Sequence, residues 1–291
     1  MSTGATLRIR DIGVNWLDDT DVIIDYSTNT TAPSRSTVRR QFRSTKGTTM
    51  TDFAQRPILV TGATGGIGGA IVRQLLDANA DVIASGRTAE SLQDIGASTG
   101  CRTLAFDLTS ESEVAEALGD LDVWGAVNCG GFGGEIATPM ETDIDVFDKV
   151  MAVNARGTLL VTKYVSRSMI RLGQGGSIVN ISSQAALVAL ANHISYGSSK
   201  AAVDNITRVS ALELGKYGIR VNSVNPTVVM TEMSEFYWGR PEIGEPFLAQ
   251  MPLGRWATQE EIAAPVVFLL SDGASMISGA HLPIDGGFTA V

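Results

Sequence analysis

Cysteine and histidine are scarce, with two of each in 291 residues. Cys101 and Cys129 are far apart, form no C-x-x-C pair and have no His/Cys cluster around them, which excludes a disulfide framework and a structural zinc site. They are expected to be two reduced thiols in a cytoplasmic protein, with no metal. No uninterrupted apolar run reaches the roughly 18 residues of a membrane helix, and no hydrophobic signal core opens the chain, so no membrane association is expected. Positive charge is in deficit: 22 Lys and Arg stand against 31 Asp and Glu, a formal net charge of -9. That balance argues against nucleic acid or an anionic membrane surface as the main partner. Any phosphate-bearing ligand must be held by a local arrangement, because the overall field repels it. What remains, 44% hydrophobic and 18% charged residues, is ordinary for a globular chain with a sizeable core.

Residues 1 to about 50 differ from the rest. They are rich in Thr, Ser and Arg, weakly periodic, and hold one short apolar patch, Val22-Ile23-Ile24. A flexible extension or upstream sequence before Met50 is the expected reading; an ordered assembly arm is another. A transit peptide fits poorly with Asp11, Asp18, Asp19, Asp21 and Asp25. From Arg56 onward, short apolar runs alternate with helical patterns. The runs are Pro57–Thr61, Val82–Ala84, Leu104–Phe106, Val123–Val127, Ile178–Ile181, Val221–Val224 and Leu282–Ile284; the clearest helical patterns are Val146–Leu172 and Ala201–Leu214. Apolar strands without polar alternation indicate a parallel sheet covered on both faces, and the repetition indicates an α/β doubly wound (Rossmann) fold. With no linker and no repeat, 51–291 reads as a single catalytic domain.

Between the first strand and first helix lies Thr61-Gly62-Ala63-Thr64-Gly65-Gly66-Ile67-Gly68. Gly62 permits a tight turn, Gly66 close approach of backbone to a pyrophosphate, and Gly68 packing of helix on strand, with the helix N-terminus offered to phosphate. A glycine-rich turn alone is weak evidence; its place after a strand and before an amphipathic helix strengthens it. The second strand ends in Ser85-Gly86-Arg87-Thr88, where an NAD site usually carries an acid. Arg87 suits a 2′-phosphate, with Ser85 and Thr88 as added hydroxyl donors, so NADP(H) is the expected cofactor. The alternative is that Arg87 is a solvated loop charge.

Tyr196 and Lys200 stand four apart at the start of a long helical pattern, hence on one helix face. A free tyrosine, with a pKa near ~10, is a poor acid or base at neutral pH; an ammonium beside it favours the phenolate form. The pair therefore suits proton exchange with a carbonyl oxygen. Ser183, thirteen residues before Tyr196, offers a hydroxyl to the same oxygen. Asn154, a polar amide inside a helical pattern, suits a water that links Lys200 to solvent. Each has a plainer alternative: a surface pair for Tyr196 and Lys200, a cap for Ser183, a buried backbone partner for Asn154.

Together these residues resemble the short-chain dehydrogenase/reductase family across 56–291, including Asp285-Gly286-Gly287 near the end. The resemblance implies Asn154, Ser183, Tyr196 and Lys200 as catalytic. It implies cofactor contacts from Gly62, Thr64, Gly66, Ile67, Gly68, Arg87, Thr88, Asp107, Leu108, Asn128, Tyr196, Lys200, Val229 and Thr231. Two departures stand out: Asn128-Cys129-Gly130-Gly131 has Cys129 where a second Asn is usual, and Asn225-Pro226-Thr227 replaces the usual Pro-Gly. The first puts local stabilisation of the sheet in doubt. Ser182-Ser183-Gln184, Asn192-His193, Asn225 to Thr231 and Trp238 look like the L-xylulose (dicarbonyl) reductase branch. That likeness implies a polyhydroxylated ketose, polyol or α-dicarbonyl substrate, a substrate pocket with Ser183, Gln184, His193, Tyr196 and Trp238, a lid over Met230–Met251, and a homotetramer. Alternatives are a 3-oxoacyl carrier-protein reductase, an NAD-dependent polyol dehydrogenase, and a non-enzymatic dinucleotide sensor. The last needs none of Ser183, Tyr196 and Lys200.

Overall fold

The computed structural model describes residues 52–290; the readings made for residues 1 to 50 lie outside them. Seven parallel strands form one sheet in the order β3-β2-β1-β4-β5-β6-β7. They are β1 (Pro57–Thr61), β2 (Asp81–Gly86), β3 (Arg102–Ala105), β4 (Gly125–Asn128), β5 (Gly176–Ile181), β6 (Ile219–Pro226) and β7 (His281–Ile284). Chain order reverses direction between β1 and β4, which pair from Ile58↔Gly125 to Thr61↔Asn128. Such a switch point opens a crevice at the carboxyl ends of the strands, where ligands of open α/β sheets bind.

The inner strands β2, β1, β4, β5 and β6 are buried on both faces, which explains their lack of polar alternation. Pleating still sorts successive side chains. Ile58 and Val60 join Ile71 and Leu75 of α1 (Gly66–Asp77) and Val266 and Leu270 of α9 (Gln259–Leu270) in one core. Leu59 points the other way, with Leu118 of α3 (Glu111–Leu118) and Leu160, Val165 and Met169 of α5 (Gly157–Leu172). The remaining helices are α2 (Gln93–Thr99), α4 (Ile144–Met151), α6 (Ile194–Leu214), α7 (Glu232–Trp238) and α8 (Pro241–Leu248).

All seven expected strands are present, with shifted ends. β4 starts at Gly125 rather than Val123, because Val123 and Trp124 enter along the bottom edge of β1: Trp124 N–H donates to Pro57 O at 2.9 Å. The pattern Val146–Leu172 is one helical run interrupted by a π-turn at Ala152–Arg156. Helix α6 begins at Ile194, seven residues before the periodic stretch Ala201–Leu214 shows it. Its first two turns face the site, so polar side chains occupy positions a core-facing helix fills with apolar ones. No described helix is long and apolar enough to cross a membrane.

Cys129 leaves the sheet intact. Asn128 Nδ2 donates to Asn180 Oδ1 at 2.8 Å and Thr162 Oγ1 at 3.3 Å, and Asn180 Nδ2 donates to Thr207 Oγ1 at 2.8 Å. Thr61 Oγ1 accepts from the N–H groups of Cys129 and Gly130 at 3.1 and 3.2 Å. These side chains hold the crevice edge that a second asparagine was expected to hold.

Candidate active site

The glycine turn packs against the start of the loop after β4. Gly62 is left-handed, with φ +63, and a Cβ there would lie 2.6 Å from Gly130 Cα. A Cβ on Gly68 would lie 2.1 Å from Gly62 O. A methyl group fits at neither position. Helix α1 starts from Gly65 without a capping side chain, so its first-turn N–H groups are left for another acceptor. Beside the turn lies a cavity of about 730 Å³ lined by Ala63, Thr64, Gly65, Gly66, Arg73 and Gln259 among others. The close backbone approach and the uncapped helix at the switch point fit a dinucleotide. Arg73 and Gln259 line this cavity too: the first sits beyond the motif on α1, and the second is brought to the turn by the packing of α9 on α1.

Arg87 and Thr88 are exposed just past β2. Arg87 is close enough to Asp107 to help hold its carboxyl below the usual range, after the larger effect of the Thr109 N–H and alongside the Thr109 hydroxyl. Asp107 Oδ1 accepts both Thr109 groups at 2.7 Å. Thr88 Oγ1 accepts from Ser91 N at 3.2 Å, so this hydroxyl also starts the following helical turn. Leu108 reaches the turn region, its Cδ1 2.5 Å from a Cβ placed on Gly130. Two residues expected at the cofactor, Asn128 and Thr231, also make bonds within the protein, and Asn128 Oδ1 is left without a partner. The Asn128 amide nitrogen is committed inside the sheet, as described above, and the residue is 4% exposed. Thr231 caps α7 reciprocally with Ser234, and Ser234 Oγ donates to Val229 O. At Thr231, side-chain capping engages a hydroxyl that spacing alone left free.

On α6, Tyr196 and Lys200 are neighbours, with Lys200 Nζ 5.6 Å from the tyrosine ring centroid. Lys200 is 5% exposed, and its ammonium donates to Ile181 O at 2.8 Å, which ties the helix to the end of β5. Ser183 starts the short turn Gln184–Ala186, its Oγ accepting from Ala185 N at 3.1 Å. That turn lies against α6: a Cβ on Gly197 would sit 3.2 Å from Ala185 O. Asn154, in the π-turn, makes its bonds elsewhere than expected. Its Oδ1 accepts from Phe132 N at 2.7 Å, and its Nδ2 donates to Phe132 O at 3.0 Å and Ser199 Oγ at 2.9 Å. These bonds run to backbone and to the Ser199 hydroxyl. Asn154 remains beside the lysine, because a Cβ on Gly131 would lie 3.5 Å from Asn154 Oδ1 and 3.6 Å from Lys200 Nζ. Cys129 is near the same ammonium; burial pushes its thiol up to about 12, against the pull of Lys200, so it stays protonated.

Over this group lie α7 and α8. His193 stacks on Trp238 at 5.8 Å and meets Tyr237 edge-on at 5.9 Å. Trp238 in turn packs on Phe247 of α8 at 4.6 Å. Burial lowers the His193 imidazole below its usual range, partly offset by the Ala191 carbonyl at 2.7 Å from Nδ1, so the ring is neutral at neutral pH. Gln184 is buried at 3% exposure and its Oε1 has no partner. Tyr237 was missed by sequence reasoning; an aromatic next to Trp238 carries no signal of its own until His193 is folded against it.

A Rossmann sheet with a Tyr–Lys helix beside a serine turn defines an oxidoreductase architecture, and comparison with known proteins makes the class specific. A family model described as Enoyl-(Acyl carrier protein) reductase matches residues 62–289. The chain belongs to the short-chain dehydrogenase/reductase family, whose members are enzymes of carbonyl and alcohol chemistry. L-xylulose reductase of Caenorhabditis elegans is 43% identical over 245 residues, 82% of this chain and 97% of that one. D-threitol dehydrogenase of Mycolicibacterium smegmatis is 40% identical over 243 residues, 79% and 92% of the two chains. The solved structure of an Agrobacterium tumefaciens protein assigned as a 2-deoxy-d-gluconate 3-dehydrogenase, with bound NADP, superposes with a TM-score of 0.77 at 31% identity, covering 82% of this chain and 98% of that one.

Proposed function

We propose that this enzyme interconverts a small polyhydroxylated ketose, or an α-dicarbonyl, and the corresponding secondary alcohol with NADP(H). One observation carries the substrate class: the buried Gln184 amide oxygen stands unpartnered one residue from Ser183. An orphaned buried acceptor costs about 1–3 kcal/mol, which a substrate hydroxyl recovers on binding. A neutral His193 offers a second polar group nearby. A site built to pair hydroxyls rejects analogues that lack them, so a long acyl thioester fits poorly and the carrier-protein alternative is not favoured. The relatives named for L-xylulose and D-threitol point the same way.

A bound NADPH supplies the hydride that reduces the carbonyl carbon. The chain handles the oxygen. Ser183 Oγ donates to it as negative charge develops. Tyr196 gives it a proton. Lys200, anchored by Ile181 O, stabilises the charge left on the phenol oxygen and holds the nicotinamide ribose. Asn154 fixes the Phe132 backbone and Ser199 around that lysine. Trp238 and His193 form the wall that keeps water out, and α7 and α8 close over the substrate.

Initial rates with ketoses, polyols and α-dicarbonyls, run with both cofactors, test the reading. NADPH-dependent reduction of ketoses is expected; turnover confined to acyl thioesters overturns it. In the same assay Arg87→Ala is expected to raise the KM for NADPH about tenfold or more, the size of one lost charge-assisted hydrogen bond, and to leave NADH nearly unaffected. An unchanged NADPH KM removes Arg87 from the cofactor site.

We propose further a cytoplasmic homotetramer. Free Cys101 and Cys129 fit a reducing compartment. Leu159 of α5 and Leu212 of α6, 50% and 83% exposed, present apolar surface that association would cover. Sedimentation is expected to give a mass four times the 30.7 kDa chain; a monomer at micromolar concentration overturns it.

A further inference from the structure

Helix α6 carries a third polar residue on the face of Tyr196 and Lys200. Asp204 follows Lys200 by four and is 3% exposed. Its surroundings hold hydrogen-bond donors and no lysine or arginine in direct contact. Ser223 Oγ donates to Asp204 Oδ1 at 3.0 Å, and Asn225 Nδ2 donates to Oδ2 at 2.9 Å. His281 Nδ1 lies 3.4 Å from Oδ1 and 2.7 Å from Ser223 Oγ, and Arg208 Nη1 reaches His281 Nε2 at 2.9 Å. Ser223 and Asn225 on β6 are fully buried. Asn225 Nδ2 also donates to Ser183 O at 3.0 Å, and Ser223 Oγ stands 3.2 Å from Asn225 Oδ1.

An amide side chain can sit either way round. A carboxylate only accepts, so Asp204 turns the NH₂ end of Asn225 toward itself, and the second proton of that group then reaches the Ser183 carbonyl. Burying a carboxylate is costly even with a histidine 3.4 Å away, and stability alone is served as well by an apolar side chain of similar volume. Here the buried carboxylate fixes an orientation. The segment 181–183 is thus held by three side-chain ties, Lys200 Nζ to Ile181 O at 2.8 Å, Ser182 Oγ to Lys200 O at 3.2 Å and Asn225 Nδ2 to Ser183 O at 3.0 Å, beside two backbone bonds, Ser182 N to Val224 O at 2.9 Å and Ala186 N to Ser183 O at 3.0 Å.

We propose that Asp204 is a positioning residue for Ser183, setting the Asn225 amide and through it the serine hydroxyl that meets the substrate oxygen. The inference rests on the proposed role of Ser183 in carbonyl reduction. The test is a double-mutant cycle on kcat, with Asp204→Ala and Asp204→Asn each made in the wild-type and the Ser183→Ala enzyme, the slow variants assayed at micromolar enzyme. In wild type, Asp204→Ala is expected to lower kcat roughly tenfold while the NADPH dissociation constant, read by nicotinamide fluorescence, stays within about twofold. In the Ser183→Ala background the further loss is expected to fall below about twofold, because residues acting through one network couple. Asp204→Asn retains an acceptor and is expected to lose less, with the same non-additivity; it carries the test alone if the alanine variant does not fold. Equal fold-losses in both backgrounds overturn the inference, and leave the carbonyl-reductase reading standing. A wild-type enzyme inactive on every carbonyl substrate overturns both.

Discussion

Tyr196→Phe is expected to lower kcat by about 10²–10⁴-fold, the range for removing a positioned general acid, while NADPH affinity remains within about twofold. The ring keeps its packing; only the hydroxyl goes. Lys200 Nζ stays 5.6 Å from the ring centroid and bonded to Ile181 O, so its proposed contact with the ribose is undisturbed. The loss belongs to the chemical step alone. Single-turnover oxidation of NADPH, with fluorescence titration of the cofactor, separates the two quantities. If the variant turns over at the wild-type rate, proton transfer runs through another group and the role of the tyrosine is refuted.

Gly68→Ala carries the second large effect. The new methyl carbon would meet Gly62 O at 2.1 Å and Ala63 Cα at 3.0 Å, all rigid backbone. Neither β1 nor α1 can retreat, because Ile58, Val60, Ile71 and Leu75 interlock in one core. Overpacking of this kind costs about 1–3 kcal/mol, occasionally more, and a domain of this size loses roughly 2–4 °C of Tm per kcal/mol. Cofactor binding is expected to fall further, because the displaced turn no longer presents the α1 N-terminus. Gly65→Ala is the control: its Cβ would meet Gly62 O at 3.5 Å, an ordinary contact, and the Tm is expected to stay within about 2 °C. Equal melting temperatures for the two variants, measured by differential scanning calorimetry, contradict the steric account.

Much of this architecture is legible in the linear chain. The parallel sheet shows in apolar runs without alternation, since strands buried on both faces need no polar side. The glycine turn shows because a left-handed residue and two backbone approaches leave few other choices. Tyr196 and Lys200 show because spacing of four is a helical neighbourhood. Asn154 was found as an oddity, yet its partners were not: its bonds run to Phe132 and Ser199, one on a loop and one on another helix. Asp204 is the opposite case. It stands four after Lys200 in plain view, but a lone aspartate in a helical pattern reads as solvent-facing until β6 is packed on α6.

The class of fold, the place of the glycine turn and the pair of residues that share a helix face can be read from the linear chain, because each follows from local periodicity and backbone sterics within a few residues. Tertiary structure alone decided which polar side chains are free for a ligand and which are spent on the protein. The Asn128 amide nitrogen and the Thr231 hydroxyl bond within the protein, the Gln184 and Asn128 amide oxygens are left without partners, and Ser183 is reached through a buried carboxylate. Hydrogen bonds between residues far apart in the chain are settled only by packing, where each buried polar group must find whatever partner the fold brings within 3 Å or so.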